Sequence, residues 1–246
     1  MHLGIDIGGT FTDFVAFDPA TGQFRTFKRL STPAAPAQAV LAGLDELGIA
    51  AASPRIIHGS TVATNALLER KGATVGFIAT RGFKDLLTIG RQNRAAAALY
   101  DFFGDRPPPL APPQRCFEIT ERVDCQGRVL EPLAVAEIPG LIAALRAAGV
   151  EAAAICLLFS FLHPDHEQQL AAALRAAGFF VSASSDILPT FREYERGSAT
   201  TINAYVSPAM AAYLGQLAMP GLRVMQSNGG MIGAATAAAQ AVRCIL

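Results

Sequence analysis

Between Gly4 and Asp13 the sequence sets two carboxylates, Asp6 and Asp13, around the pair Gly8 and Gly9, with hydroxyls at Thr10 and Thr12. Adjacent glycines let main-chain amides approach an anion with no Cβ in the way. Carboxylates suit magnesium, which takes oxygen ligands and keeps several of its waters. Such a loop is equipped to hold the β- and γ-phosphates of a nucleotide, with Asp6 and Asp13 reaching a metal through water. It is neither a Walker loop nor a Rossmann fingerprint, because the lysine and the spacing are missing. A plain hairpin turn is the competing reading.

A second concentration of chemistry runs through His58, Gly59, Ser60, Thr61, Thr64 and Asn65. A strand ending at His58 and a helix starting at Gly59 would present free amides beside Ser60 and Thr61, a site for phosphate or carboxylate. Thr61 and Asn65, four apart, would share a helix face. Ordinary capping, with His58 a hydrogen-bonded core residue, is the alternative. Arg91 and Arg94 could clamp an anion through paired hydrogen bonds, or simply be solvated.

The elements that must position these residues follow from periodicity and turn chemistry. Strands are expected at Leu3–Ile7, Phe14–Phe17 and Phe24–Leu30, joined by tight turns into an antiparallel meander. A helix over Ala34–Leu47 stops at Gly48, a strand covers Arg55–His58, and a helix runs on to about Lys71. After a strand at Thr74–Ala79, residues 88–113 read as irregular, because Pro107–Pro109 and Pro112–Pro113 forbid helix or central strand. Helices at 135–148 and 165–177 then alternate with strands at 152–159 and 179–182. A long helix is expected over Glu193–Leu217 with a kink at Pro208, then a strand at 222–226, a tight loop, and helix over 231–241. A meander followed by alternating helices and strands predicts an α/β core with a mixed sheet.

Composition narrows the function classes. The 246 residues are 51% hydrophobic and 16% charged, which excludes a disordered chain. Lys+Arg and Asp+Glu both number 20, so no basic excess serves a nucleic acid or a membrane surface. No apolar run is long enough to span a bilayer. The start Met1-His2-Leu3-Gly4 has no secretory pattern, so the cytoplasm is expected. Cys116, Cys125, Cys156 and Cys244 are scattered and read as free thiols.

The run Gly8-Gly9-Thr10-Phe11-Thr12-Asp13, the stretch His58 to Arg70, Thr80-Arg81-Gly82-Phe83 and Ile89-Gly90-Arg91-Gln92 together resemble the hydantoinase A / 5-oxoprolinase family. Arg192-Glu193-Tyr194-Glu195-Arg196, Asn203-Ala204-Tyr205-Val206 and Met225-Gln226-Ser227-Asn228-Gly229-Gly230 extend the likeness along nearly the whole chain. The resemblance implies a ribonuclease-H-like lobe of the actin/hexokinase ATPase type, with residues 1–190 as an N-terminal domain and 191–246 opening a further core domain. It implies ATP with magnesium or manganese, and phosphorylation of the carbonyl oxygen of a cyclic amide such as 5-oxoproline or a hydantoin. By carry-over Asp6 holds the metal or its water, and Gly8, Gly9, Thr10 and Thr12 grip the phosphates. Asp13, His58 and Arg91 join the catalytic set, while Gly59, Ser60, Thr61, Thr64, Asn65, Glu195 and Arg196 face the substrate.

A B-type partner subunit and an oligomer are also implied. The family shows a second D-x-G-G-T loop further along, and this sequence has none. The expectation is therefore a chain whose second lobe is incomplete, binding ATP weakly and turning over little alone. A subunit of an acetone- or acetophenone-type carboxylase, a sugar kinase and a non-catalytic assembly module are the alternatives.

Overall fold

The computed structural model describes residues 1–32, 35–48, 55–93, 100 and 107–245. The first stretch forms β1 (His2–Ile7), β2 (Phe11–Asp18), β3 (Gln23–Leu30), α1 (Pro36–Glu46), β4 (Arg55–Ser60) and α2 (Val62–Leu68). Next come β5 (Val75–Thr80), α3 (Leu86–Ile89), β6 (Cys116–Ile119), β7 (Arg122–Val123), β8 (Val129–Glu131), α4 (Ile138–Ala147), β9 (Ala152–Cys156), α5 (Asp165–Ala176), β10 (Phe180–Ala183), α6 (Ser184–Ile187) and α7 (Glu193–Leu217). The chain continues through β11 (Arg223–Met225), β12 (Met231–Gly233) and α8 (Ala234–Ala239).

Two compact units emerge, one of residues 1–72 with 206–246 and one of residues 73–205. The expected boundary after residue 190 is not where the compact units divide. The first unit is discontinuous because β11 pairs in parallel with β4 and joins the last residues to the first sheet.

That first sheet has the order β12-β11-β4-β1-β2-β3. Its antiparallel meander β1-β2-β3 is continued by parallel β4 and β11, which is the mixed α/β arrangement of a ribonuclease-H-like, actin-type lobe. Period-2 alternation buries Leu3, Ile5 and Ile7 of β1 with Phe14 and Ala16 of β2. Val40 and Leu44 of α1 are buried as well. Gly43 lets this helix approach closely, since a Cβ there would lie 2.1 Å from the Phe14 ring. The second unit holds a four-stranded parallel sheet, β10-β9-β5-β6. Every residue of β5 and β9 is buried, as parallel strands require. Their core includes Leu141 and Leu145 of α4 and Leu170 and Leu174 of α5.

Several expectations shift. β2 starts at Phe11 rather than Phe14, so Thr12 and Asp13 are strand residues and the glycine loop is only Gly8-Gly9-Thr10. Likewise Gly59 and Ser60 finish β4 instead of opening a helix, and α2 ends at Leu68. Met231–Gly233 is a strand before α8, because the turn at Gly229 (φ +83°) folds it back on β11. β6 to β8 were not legible in the sequence. The helix over Glu193–Leu217 runs through Pro208 as one element. All four cysteines are free, and among the described residues no helix is long and apolar enough to cross a membrane.

Candidate active site

The hairpin between β1 and β2 is closed by the Gly8 N–H donating to Phe11 O at 2.9 Å. A Cβ at Gly8 would sit tightly against that carbonyl, at 3.2 Å. Its carbonyls are tied from outside. Ser31, just past β3, donates its hydroxyl to Gly8 O at 2.8 Å and its N–H to Thr10 O at 2.9 Å. Thr61 donates its hydroxyl to Ile7 O at 3.1 Å. With the carbonyls of Ile7, Gly8 and Thr10 braced, the Gly9–Thr10 segment stays exposed. Thr12 is fully buried and, because the Ser31 proton is already placed, donates to Ser31 Oγ at 3.0 Å. It therefore supports the loop instead of facing phosphate.

Asp6 and Asp13 are directly opposite each other in the β1–β2 register, on the face that also carries Gly59 and Met225. Like charges in that position repel. Lys28, opposite Asp13 on β3, meets one of them at 3.2 Å, and Asp6 has no ion pair among the described residues. Gly59 leaves room for it: a Cβ there would be 2.7 Å from Asp6 Oδ1. Two carboxylates fit a hard divalent cation such as magnesium or manganese. Among the described residues no cluster of three or more acidic, histidine or cysteine ligands forms, so such an ion would rely on water and phosphate for its remaining ligands.

At the carboxyl ends of the parallel strands β1 and β4 lies a cleft of about 370 Å³, bounded by Gly8, Gly9, Ser31, Thr61 and Asn65. Open α/β sheets bind ligands at this end of their strands. The expected anion site at the start of a helix is not what the sequence builds here. α2 has seven residues, buried Ser60 accepts the Val62 N–H at 3.2 Å, and Thr61 is committed to Ile7 O. Asn65 does share a face with Thr61, donating to its Oγ1 at 3.3 Å. Thr64 is half-buried on the same helix.

His58 is fully buried. Ile5 O, 3.2 Å from Nδ1, can only accept, so Nδ1 carries the proton and Nε2 accepts from Tyr213 OH at 2.6 Å. Burial lowers its pKa to about 4, and burial likewise pushes the Tyr213 phenol up. With both nitrogens used, His58 is a hydrogen-bonded core residue and not a catalytic base; Tyr213, 155 positions away, gave no sequence signal.

In the second unit Arg91 grips Glu195 in a two-point pair, Nε–Oε1 at 2.9 Å and Nη2–Oε2 at 2.6 Å. The guanidinium holds the Glu195 carboxyl below its ordinary value. Gly90 (φ +58°) carries Arg91 past the Tyr194 ring, 3.4 Å from where a Cβ would sit. Arg196, expected at the substrate, is instead fully buried. It donates to Leu157 O at 2.8 Å, to Ser184 Oγ at 2.7 Å and to Ser160 Oγ, and so anchors the start of α7. Arg94 lies outside the described residues.

The chain is similar to several known proteins. The caprolactamase subunit alpha of Pseudomonas jessenii is 36% identical over 99% of this chain, which spans 38% of that subunit. The 5-oxoprolinase 1 of Arabidopsis thaliana is 32% identical over 94% of the chain, which spans 21% of that enzyme. A nucleotide-free structure of an acetone carboxylase, from work on ATP-dependent acetone carboxylation, superposes with a TM-score of 0.85 at 28% identity, covering all of this chain and 38% of the other. The family described as the hydantoinase/oxoprolinase N-terminal region matches residues 2–178. With the mixed sheet, the braced glycine hairpin and a family match over most of its length, the chain belongs to the hydantoinase/oxoprolinase family.

Proposed function

We propose that this chain supplies the phosphate-handling part of an enzyme that spends ATP to open a cyclic amide. The observation that carries the reading is the Gly8-Gly9-Thr10 turn, braced through its carbonyls by Ser31 and Thr61 and set beside the opposed carboxylates Asp6 and Asp13. A lactam resists water because its amide is resonance-stabilised. Transfer of the γ-phosphoryl group to the carbonyl oxygen makes the carbon electrophilic and gives it a leaving group. Over the full reaction one ATP and two waters convert the ring to an open amino acid, ADP and phosphate.

Phosphoryl transfer is chiefly a matter of positioning and charge neutralisation. The Gly9–Thr10 amides would hold phosphate oxygens. Asp6, with Asp13 beside it, would hold magnesium or manganese through its water, and the bound ion neutralises charge on the phosphates. Glu195 and Arg91 would act as one pair, since each orients the other. The relatives named as a caprolactamase and a 5-oxoprolinase support ring opening. The acetone carboxylase likeness supports a second reading, in which the phosphorylated carbonyl oxygen belongs to a ketone. A subunit of the B type would complete either enzyme.

The test is ADP release by the complete enzyme with 5-oxoproline, hydantoin, caprolactam, or acetone plus bicarbonate. Ring-dependent ADP release is expected, falling roughly a hundredfold in Asp6→Asn. ADP release with acetone and bicarbonate alone would select the carboxylase reading. Full activity in D6N would remove Asp6 from the mechanism.

A further inference from the structure

β3 closes one end of the six-stranded sheet, so one side of it meets β2 and the other is an edge. The other ends of the two larger sheets, β12, β10 and β6, are three or four residues long. β3 is eight residues long, and six of them are exposed. A long open edge offers its outward N–H and C=O groups to an extended chain.

Strand phase fixes which groups those are. The Ser31 N–H donates to Thr10 O at 2.9 Å, and this pair continues the register that sets Leu30 opposite Phe11. Hydrogen-bonded pairs alternate along antiparallel strands. Arg29, Phe27 and Arg25 therefore bond inward to β2, while Leu30, Lys28, Thr26 and Phe24 turn their N–H and C=O outward. Opposite these four on β2 stand Phe11, Asp13, Val15 and Phe17, and the Phe24 and Phe17 rings are 4.6 Å apart.

The strand carries three cations, Arg25, Lys28 and Arg29, and no anion. Lys28 meets Asp13 at 3.2 Å and Arg29 meets Glu46 at 2.6 Å, both in solvent-exposed pairs that stay open to a further carboxylate. Two copies joined edge to edge would crowd these cations together, and the register of fullest overlap sets Arg25 against Arg29. A partner strand with carboxylates opposite them gains cross-strand ion pairs instead.

We propose that β3 is a docking edge for an acidic extended segment of a partner protein, which joins the sheet as a further antiparallel strand. Opposite Leu30 back to Phe24, that segment is in turn apolar, acidic, acidic, apolar, β-branched, acidic and apolar. Because β3 runs into Ser31, it would also steady the residue that braces the glycine turn. The proposal does not depend on which carbonyl compound is phosphorylated.

The probe is an end-capped peptide, Val-Glu-Glu-Val-Thr-Glu-Val, titrated into the 246-residue chain beside the same peptide with lysine for each glutamate. The acidic peptide is expected to bind at least about tenfold more tightly, with the difference shrinking at high salt. Hydrogen exchange should slow at the outward amides of Phe24, Thr26, Lys28 and Leu30 and stay unchanged at Arg25, Phe27 and Arg29. Thr26→Pro removes one outward N–H and no inward bond, so it should abolish binding. Arg25→Glu alters an exposed side chain and should weaken binding several-fold, with the circular dichroism unchanged. Should T26P disturb the fold, R25E and the exchange pattern decide. Equal binding of the two peptides, no binding, or binding that leaves the four outward amides unprotected would overturn the proposal. So would a dimer, seen by sedimentation, that excludes the peptide, since a second copy would then occupy the edge.

Discussion

Asp6 and His58 show how polar residues on neighbouring strands acquire different duties from their surroundings. Asp6 stays exposed because β1 alternates and places it on the open face of the sheet, over Gly59. His58 sits on the other phase of β4 and is buried with both nitrogens bonded. That difference has a consequence for stability. The imidazole falls from 6.5 to about 4 in the folded chain, so the unfolded chain takes the proton first as pH drops. Its contribution is complete above pH 6.5 and is lost progressively towards pH 4, on the order of 3 kcal/mol in all. Urea denaturation of wild type and His58→Gln across that range should show the steeper pH-dependent loss in the wild type. Parallel slopes in the two proteins would remove His58 as the source. Asp6, Gly8 and Gly9 were legible as chemistry from their spacing alone. The roles of Thr12, Ser60 and Arg196 were not, because a hydroxyl or guanidinium reads the same whether it meets a ligand or a buried carbonyl.

At the scale of elements, the site is a hairpin tied at its carbonyl side. Ser31 reaches Gly8 from 23 positions away and Thr61 reaches Ile7 from 54. Removing the Ser31 hydroxyl leaves Gly8 O and Thr12 Oγ1 without that partner, at about 1 kcal/mol or more of local stability. Ser31→Ala should raise the KM for ATP in the complete enzyme several-fold, with faster amide hydrogen exchange at Gly9 and Thr10. Unchanged exchange would show that the turn holds itself. On the adjacent strand, Gly59→Ala would place a Cβ 2.7 Å from Asp6 Oδ1. Since that carboxylate is exposed and can rotate, little change in Tm is expected, but ATP turnover should fall about as far as in D6N. A large drop in Tm with turnover retained would mean that the carboxylate position is immaterial.

On the scale of the molecule, residues 206–246 complete a sheet begun by residues 2–60, because β11 pairs with β4 and Tyr213 bonds His58. A chain ending after Tyr205 should lose protection at the Ile57 and His58 amides, measured by hydrogen exchange, and should unfold with a lower Tm. Retained protection would make residues 1–72 an independent unit. The meander, the long α7 and the glycine turn could be read from periodicity and turn residues, since these depend on neighbours a few positions apart. Local pattern also marked the family, which the match to residues 2–178 bears out. Tertiary structure alone decided that Asp6 opposes Asp13, that Ser31 and Thr61 brace the turn, and that His58 and Arg196 are sealed inside. Those facts depend on strand register and on contacts across tens to hundreds of positions. Register and long-range packing are settled only when all the strands compete for the same core.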